Sequence, residues 1–136
     1  MIYILDASAL LNSESFVFSG KNIYYTTSKV FSEWKDFRSK SLASNAVSSG
    51  LLVVQDPCPL SIQKTISECE KSGTKLSDPD ISIVALAAEF KGRGEDFVVV
   101  TDDYSVQNVL KKFKARFVSV AQGEIKRARN FSRKKD

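Results

Sequence analysis

The 136-residue sequence contains no histidine. That absence removes every mechanism that needs an imidazole: a Ser-His-Asp or Cys-His nucleophile, a histidine acid/base pair, and the usual histidine-containing zinc sites. Any chemistry falls to carboxylates, hydroxyls, lysines or a metal ion. Cysteine is scarce as well. Cys58 and Cys69 have no further Cys or His with which to complete a four-ligand zinc site. Long apolar runs are also missing: the start, MIYILDAS, has no positively charged lead, meets an acid at Asp6 and is followed by no stretch long enough to cross a bilayer. These absences read as a reduced, cytoplasmic protein with no export or membrane signal. With 26% charged and 43% hydrophobic residues, the chain has the composition of one ordinary globular domain.

The net charge of +4 is unevenly distributed. Residues 111–136 hold ten Lys/Arg and two acids, whereas residues 1–110 hold ten Lys/Arg and fourteen acids. An acidic body therefore carries a basic end. A basic end on a soluble domain suits a polyanion, because each neutralised phosphate releases counterions; a solvated terminus is the plain alternative.

Apolar periodicity alternates between strand and helix along the chain. IYIL (2–5) reads as a buried strand that runs into Asp6 and a helix start, and 22–26 as extended or turn. Residues 28–38 place Val30, Phe31, Trp34 and Phe37 at helical spacing, which predicts a core-facing helix with Glu33 inside it. A second helix is expected over 39–48, and a strand over 51–56 that Pro57 and Pro59 terminate. Ile62, Ile66 and Cys69 share one face of a helix ending at Gly73. In LSDPDISIVALAAEFKG, Ser77 or Asp78 caps a helix whose core stripe is Ile81, Val84, Ala85 and Ala88. FVVVT (97–101), a helix from Asp103 to Lys112, and RFVSV (116–120) complete the pattern. Strands alternating with helices predict an α/β domain in three α/β/α layers around a mainly parallel sheet, with ligands beyond the carboxyl ends of the strands.

Acids stand at those ends. Asp6 follows the first strand directly, and Asp102 and Asp103 follow FVVVT. Asp78 and Asp80 fall in the first turn of a helix. Each has a structural alternative: Asp78 as a cap, Asp80 as a partner of the helix dipole, Glu33 as a solvated residue, and Asp6 and one of the 102/103 pair as caps. Several carboxylates converging on one site would repel one another unless a cation neutralised them, and oxygen ligands suit Mg²⁺ or Mn²⁺. Phosphotransfer is disfavoured, since Asp6-Ala7-Ser8 lacks the second acid of a DxD pair and no GxxxxGK[ST] loop exists.

LDASALL, SKVFSEW, LSDPDISIVALA and VVVTDDYSVQNVL, in this order and spacing, resemble the PIN domains, small metal-dependent ribonucleases. The resemblance covers residues 2–122 and leaves 123–136 as a basic C-terminal tail. TDDYSVQNV followed by KARFVSV is most similar to the Nin-one-binding family, which matures the 3′ end of small-subunit ribosomal RNA. That family normally carries a zinc ribbon after the PIN domain, and no such cysteines follow here.

The resemblance implies a catalytic set of Asp6, Glu33, Asp80, Asp102 and Asp103. Asp6, Asp80 and Asp103 would hold one or two Mg²⁺ or Mn²⁺ ions, with Ser8, Thr101 and Asp78 in support. It implies RNA as partner, a small-subunit ribosomal RNA precursor within a pre-ribosomal particle, and a homodimer as a further possibility. Lys126, Arg127, Arg129, Arg133, Lys134 and Lys135 would then grip the RNA backbone. Two rivals stay open: a toxin-type PIN ribonuclease paired with an antitoxin, and an inactive PIN module that only binds RNA or assembly partners.

Overall fold

Strand β1 (Ile2–Leu5) is the centre of the molecule in the computed structural model, which describes residues 1–12 and 16–120. It pairs in parallel with β2 (Ile23–Thr26) on one side and β4 (Phe97–Val100) on the other. Beyond these, β3 (Leu52–Val54) extends from β2 and β5 (Phe117–Val118) from β4, also in parallel. The order is β3-β2-β1-β4-β5, so the sheet is wholly parallel rather than mainly so. Tyr3, Ile4, Leu5 and all four residues of β4 are buried, as expected for central strands covered on both faces.

The helices are α1 (Ser8–Leu11), α2 (Ser28–Phe31), α3 (Phe37–Ser48), α4 (Pro59–Ser72), α5 (Asp78–Gly92) and α6 (Tyr104–Lys112). The chain steps outward from β1 through β2 to β3, then returns to the other side of β1. With right-handed crossovers this reversal sends the helices of the two halves to opposite faces of the sheet. Their arrangement gives the three-layer α/β/α class. The reversal also opens a crevice at the carboxyl ends of β1 and β4, where such folds bind ligands.

Local signals account for most boundaries. Ser77 accepts from the Asp80 N–H and Pro79 occupies the first turn of α5. Asp103 caps α6, and α4 ends at Gly73, whose φ of +69° is a left-handed conformation that favours glycine. Helix α5 is buried over Ser82–Ala87 and at Phe90, a wider surface than the predicted stripe, while Ile81 and Ala88 are half-buried. The cause is position: α5 packs against α2, α4, α6 and β1 together. On α4 the buried side chains are Thr65 and Cys69, and Ile66 faces solvent. Among the described residues no helix is long and apolar enough to cross a membrane.

The helix expected over 28–38 is broken. α2 stops at Phe31, a turn follows, and Asp36 starts a new helix by accepting from the Ser39 N–H. This second cap resets the helical phase. Trp34 is 3% exposed and donates from Nε1 to the Ala7 carbonyl at 2.9 Å, whereas Phe37 is 87% exposed instead of lying in the core. Glu33 consequently lies on the turn after α2 rather than within a helix. Thermal denaturation separates the two aromatics: Trp34→Ala should cost about 3–5 kcal/mol, and Phe37→Ala no more than about 0.5 kcal/mol.

Candidate active site

The carboxyl end of β1 delivers Asp6 into the crevice with only 4% of its surface exposed. Both its oxygens are held. The Ala7 N–H donates to Oδ1 at 2.7 Å, and the Thr101 hydroxyl donates to Oδ2 at 2.7 Å. Thr101 ends β4, and its Oγ1 in turn accepts from the Asp103 N–H at 3.1 Å. One hydroxyl therefore joins the side chain of Asp6 to the backbone of Asp103. Gln107 of α6 secures Thr101 from behind by donating to its carbonyl at 2.9 Å. Asp103 spends Oδ1 on the α6 cap, accepting from Ser105 and Val106, and its Oδ2 makes no hydrogen bond among the described residues.

A second chain of hydroxyls runs between α2 and α5. The Val30 N–H donates to Thr27 Oγ1 at 3.3 Å, and the Thr27 and Ser82 hydroxyls lie 2.7 Å apart. Ser82 donates its single proton to the Pro79 carbonyl at 2.6 Å, so Thr27 must be the donor to Ser82. The relay fixes the first turn of α5, which carries Asp80, against the short helix that precedes Glu33. Asp56, beyond β3, adds a further tie: it accepts from the Ser28 N–H at 2.8 Å and from the Ser28 hydroxyl.

Asp102 points elsewhere. Its carboxylate accepts from Asn12 Nδ2, the Val120 N–H and the Ser119 hydroxyl, and its own N–H donates to Ser8 Oγ at 3.0 Å. Ser8 thus supports the backbone at residue 102 rather than the Asp6 side chain. Asp78 is exposed on the first turn of α5, where Ser77 is the cap. Lys126, Arg127, Arg129, Arg133, Lys134 and Lys135 lie outside the described residues.

Thr27, Ser82, Gln107, Asn12, Ser119 and Asp56 escape a reading by motif. Of these, only Asp56 has a sequence signal, since it too is an acid shortly after an apolar strand.

The site's electrostatics carry excess negative charge. Burial pushes the Asp6 carboxyl up from 3.8 to about 6; the bonds from Thr101 and Ala7 pull it down, and the charges of Asp80 and Asp103 raise it again. Asp80 is also raised, first by burial and then by Asp103 and Glu33, against the Ser77 hydrogen bond. Asp6, Asp80, Asp103 and Glu33 therefore share one field. Among the described residues no three acids stand close enough to form a ready-made cage for an ion. An all-oxygen donor set whose members repel one another nevertheless suits a hard cation, which would relieve that repulsion.

Fold and edge acids together define a class. Residues 3–90 match the model of the PIN domain of ribonuclease, and the chain belongs to this PIN-domain ribonuclease family. Within the family the similarity is more particular. The chain is 35% identical to Endoribonuclease Nob1 of Methanothermobacter thermautotrophicus, over 90% of its own length and 71% of that protein's. It is 33% identical to Endoribonuclease Nob1 of Pyrococcus abyssi, over 88% and 73% of the two chains. Ribonuclease VapC3 of Aeropyrum pernix is 29% identical over 78% of this chain and 76% of that protein. Among solved structures, VapBC-1 of nontypeable Haemophilus influenzae superposes with a TM-score of 0.57 over 90% of this chain and all of that one; at 13% identity the likeness is one of fold. The four motifs thus mark a true member of the family.

The raised Asp6 pKa has a consequence for stability. A folded-state value above the unfolded one means that the native protein holds the proton more tightly, so stability falls as pH rises from about 4 to about 6 and the loss is complete above that. In chelator, Asp6→Asn should flatten this decline and stabilise the protein at pH 7 by up to about 3 kcal/mol, with little effect at pH 3.5. Melting curves across pH measure both.

Proposed function

We propose that this nuclease is a divalent-metal-dependent endoribonuclease that hydrolyses an RNA phosphodiester, with maturation of the 3′ end of small-subunit ribosomal RNA as its task. The observation that carries the reading is the buried Asp6 carboxylate sharing its field with Asp80 and Asp103 at the reversal in strand order. The similarity to two Nob1 endoribonucleases over most of the chain supports the choice of RNA.

Asp6, Asp80 and Asp103 would hold Mg²⁺ or Mn²⁺. A bound divalent ion supplies Lewis acidity, lowering the pKa of the attacking water and offsetting charge on the phosphate. The protein's own groups set the stage. Thr101 and Ala7 fix both oxygens of Asp6, and the α6 cap fixes one oxygen of Asp103. Glu33, on its exposed turn, orients water near Asp80. Water attacks phosphorus and the 3′ oxygen departs, leaving a 5′ phosphate and a 3′ hydroxyl. The basic segment from Lys126 to Lys135 holds the RNA backbone while the acids cut it.

Similarity to Ribonuclease VapC3 keeps a toxin-type ribonuclease as the second reading, with the same acids. The position of the cut separates the two. On a small-subunit ribosomal RNA precursor with Mn²⁺, the wild-type protein should cut once at the mature 3′ end, and preferential cleavage of transfer RNA instead would favour the second reading.

Asp6→Asn and Asp103→Asn should each lower the rate by at least about 100-fold, beyond the effect of losing an outer-shell partner. EDTA should abolish cleavage, and a 2′,3′-cyclic phosphate product would refute the mechanism. Replacing Lys126, Arg127 and Arg129 with Gln should make the slope of log affinity against log salt shallower by about 2; an unchanged slope in a binding titration would remove the tail from the account.

A further inference from the structure

We infer that Thr27 and Ser82 are a pair of positioning residues for Asp80 and Glu33, fixing the separation from which these two acids act on a divalent cation. The inference rests on the proposal that Asp80 holds the cation and Glu33 orients water beside it. The acids of the sheet and those of the helices are placed by different means. Thr101 joins Asp6 to the Asp103 backbone at the ends of β1 and β4, adjacent strands whose ladder sets their spacing. Asp80 and Glu33 share no ladder. Asp80 stands in the first turn of α5, and Glu33 is exposed on the turn after α2, a helix of only four residues. A single helical turn has little rigidity of its own.

Hydrogen bonds run from the backbone of one of these acids to that of the other. The Glu33 N–H donates to the Val30 carbonyl at 2.9 Å. The Val30 N–H donates to Thr27 Oγ1, Thr27 donates to Ser82, and Ser82 donates to the Pro79 carbonyl. That carbonyl lies in the same planar peptide unit as the Asp80 N–H, which itself donates to Ser77 Oγ at 3.3 Å. The peptide leading into Asp80 is therefore held at both its oxygen and its nitrogen.

Taken alone, the bond from Ser82 to Pro79 is a common back-bond within a helix. Thr27, 55 residues away, turns it into a link between helices. Thr27 is wholly buried and Ser82 almost so, and each hydroxyl commits its one proton. The relay is directional where the apolar contacts of α2 with α5 are not. Hydrogen bonds prefer one length and one line, whereas apolar surfaces in contact can slide. Without the relay α2 is free to shift along α5, and the spacing of Glu33 from Asp80 changes with it. A cation responds to such a change through its affinity, because the groups behind its ligands set their orientation.

Calorimetric titration of the full chain with Mn²⁺ tests the pair, together with cleavage of the precursor RNA and melting curves in chelator. Thr27→Val and Ser82→Ala should each weaken Mn²⁺ binding about tenfold, as loss of an outer-shell partner does, and leave KM for RNA unchanged. Thr27→Ser, which keeps the hydroxyl, should restore wild-type affinity. In a chain carrying Asp80→Asn, Thr27→Val should weaken Mn²⁺ binding no further, the coupling expected of two changes acting through one ligand. Ser82→Ala carries the test where Thr27→Val does not fold, since alanine suits a helix interior.

A lower melting temperature with unchanged Mn²⁺ affinity would reduce the pair to a structural tie and overturn the inference. Thr27→Ser binding as weakly as Thr27→Val would show that the hydroxyl is not what matters, and additive losses in the double variant would place the effect away from Asp80; either result overturns it too. Failure of the metal reading itself shows separately, as wild-type Mn²⁺ affinity in Asp80→Asn.

Discussion

Asp6 must keep a carboxylate under apolar cover at the end of the central strand, and much of the crevice is arranged around that demand. Two hydrogen bonds hold its oxygens in place, yet burial and the neighbouring acids still raise its pKa to about 6. The site is therefore built with a deficit of positive charge. Such a deficit costs stability in the free protein and would become an asset with the proposed cation bound, because attraction for the ion and relief of repulsion would then act together. On the proposed function, this is how a fold without one histidine would bring charge to bear on a phosphodiester.

Order around Asp6 is maintained by small hydroxyls more than by ion pairs. Thr101 ties β1 to the turn after β4, and the Thr27–Ser82 relay ties the Glu33 turn to the helix that bears Asp80. Hydroxyls suit this work. Each both donates and accepts, so it can satisfy a carboxylate or carbonyl while receiving a backbone N–H, and it adds no charge to a site whose charge is meant for something else.

Strands and their following acids were legible in the sequence because buried parallel strands are short apolar runs, and IYIL-Asp6 and FVVV-Thr101-Asp102-Asp103 show the join openly. The break between α2 and α3 was hidden. Val30, Phe31, Trp34 and Phe37 keep a helical period across it, while the Asp36 cap that resets the phase is one short polar residue. Which of two adjacent acids faces the site was equally illegible, since that depends on partners as remote as Asn12, 90 residues from Asp102. The hydroxyl relay has no periodicity to betray it: Thr27 and Ser82 are 55 residues apart, and their pairing exists only once α2 and α5 have packed.

The hydrogen bond between Asp6 and Thr101 closes a span of 95 residues. Because β4 sits beside β1 while β2 and β3 lie on its other side, β1 waits until after β2 and β3 before its second edge is paired. Contacts so distant along the chain form late in folding, after the loop entropy between them has been overcome. A partly synthesised chain thus carries Asp6 without Thr101 and Asp103, and has no assembled cutting site. The topology itself delays assembly of the acid site until β4 has been made and has docked beside β1.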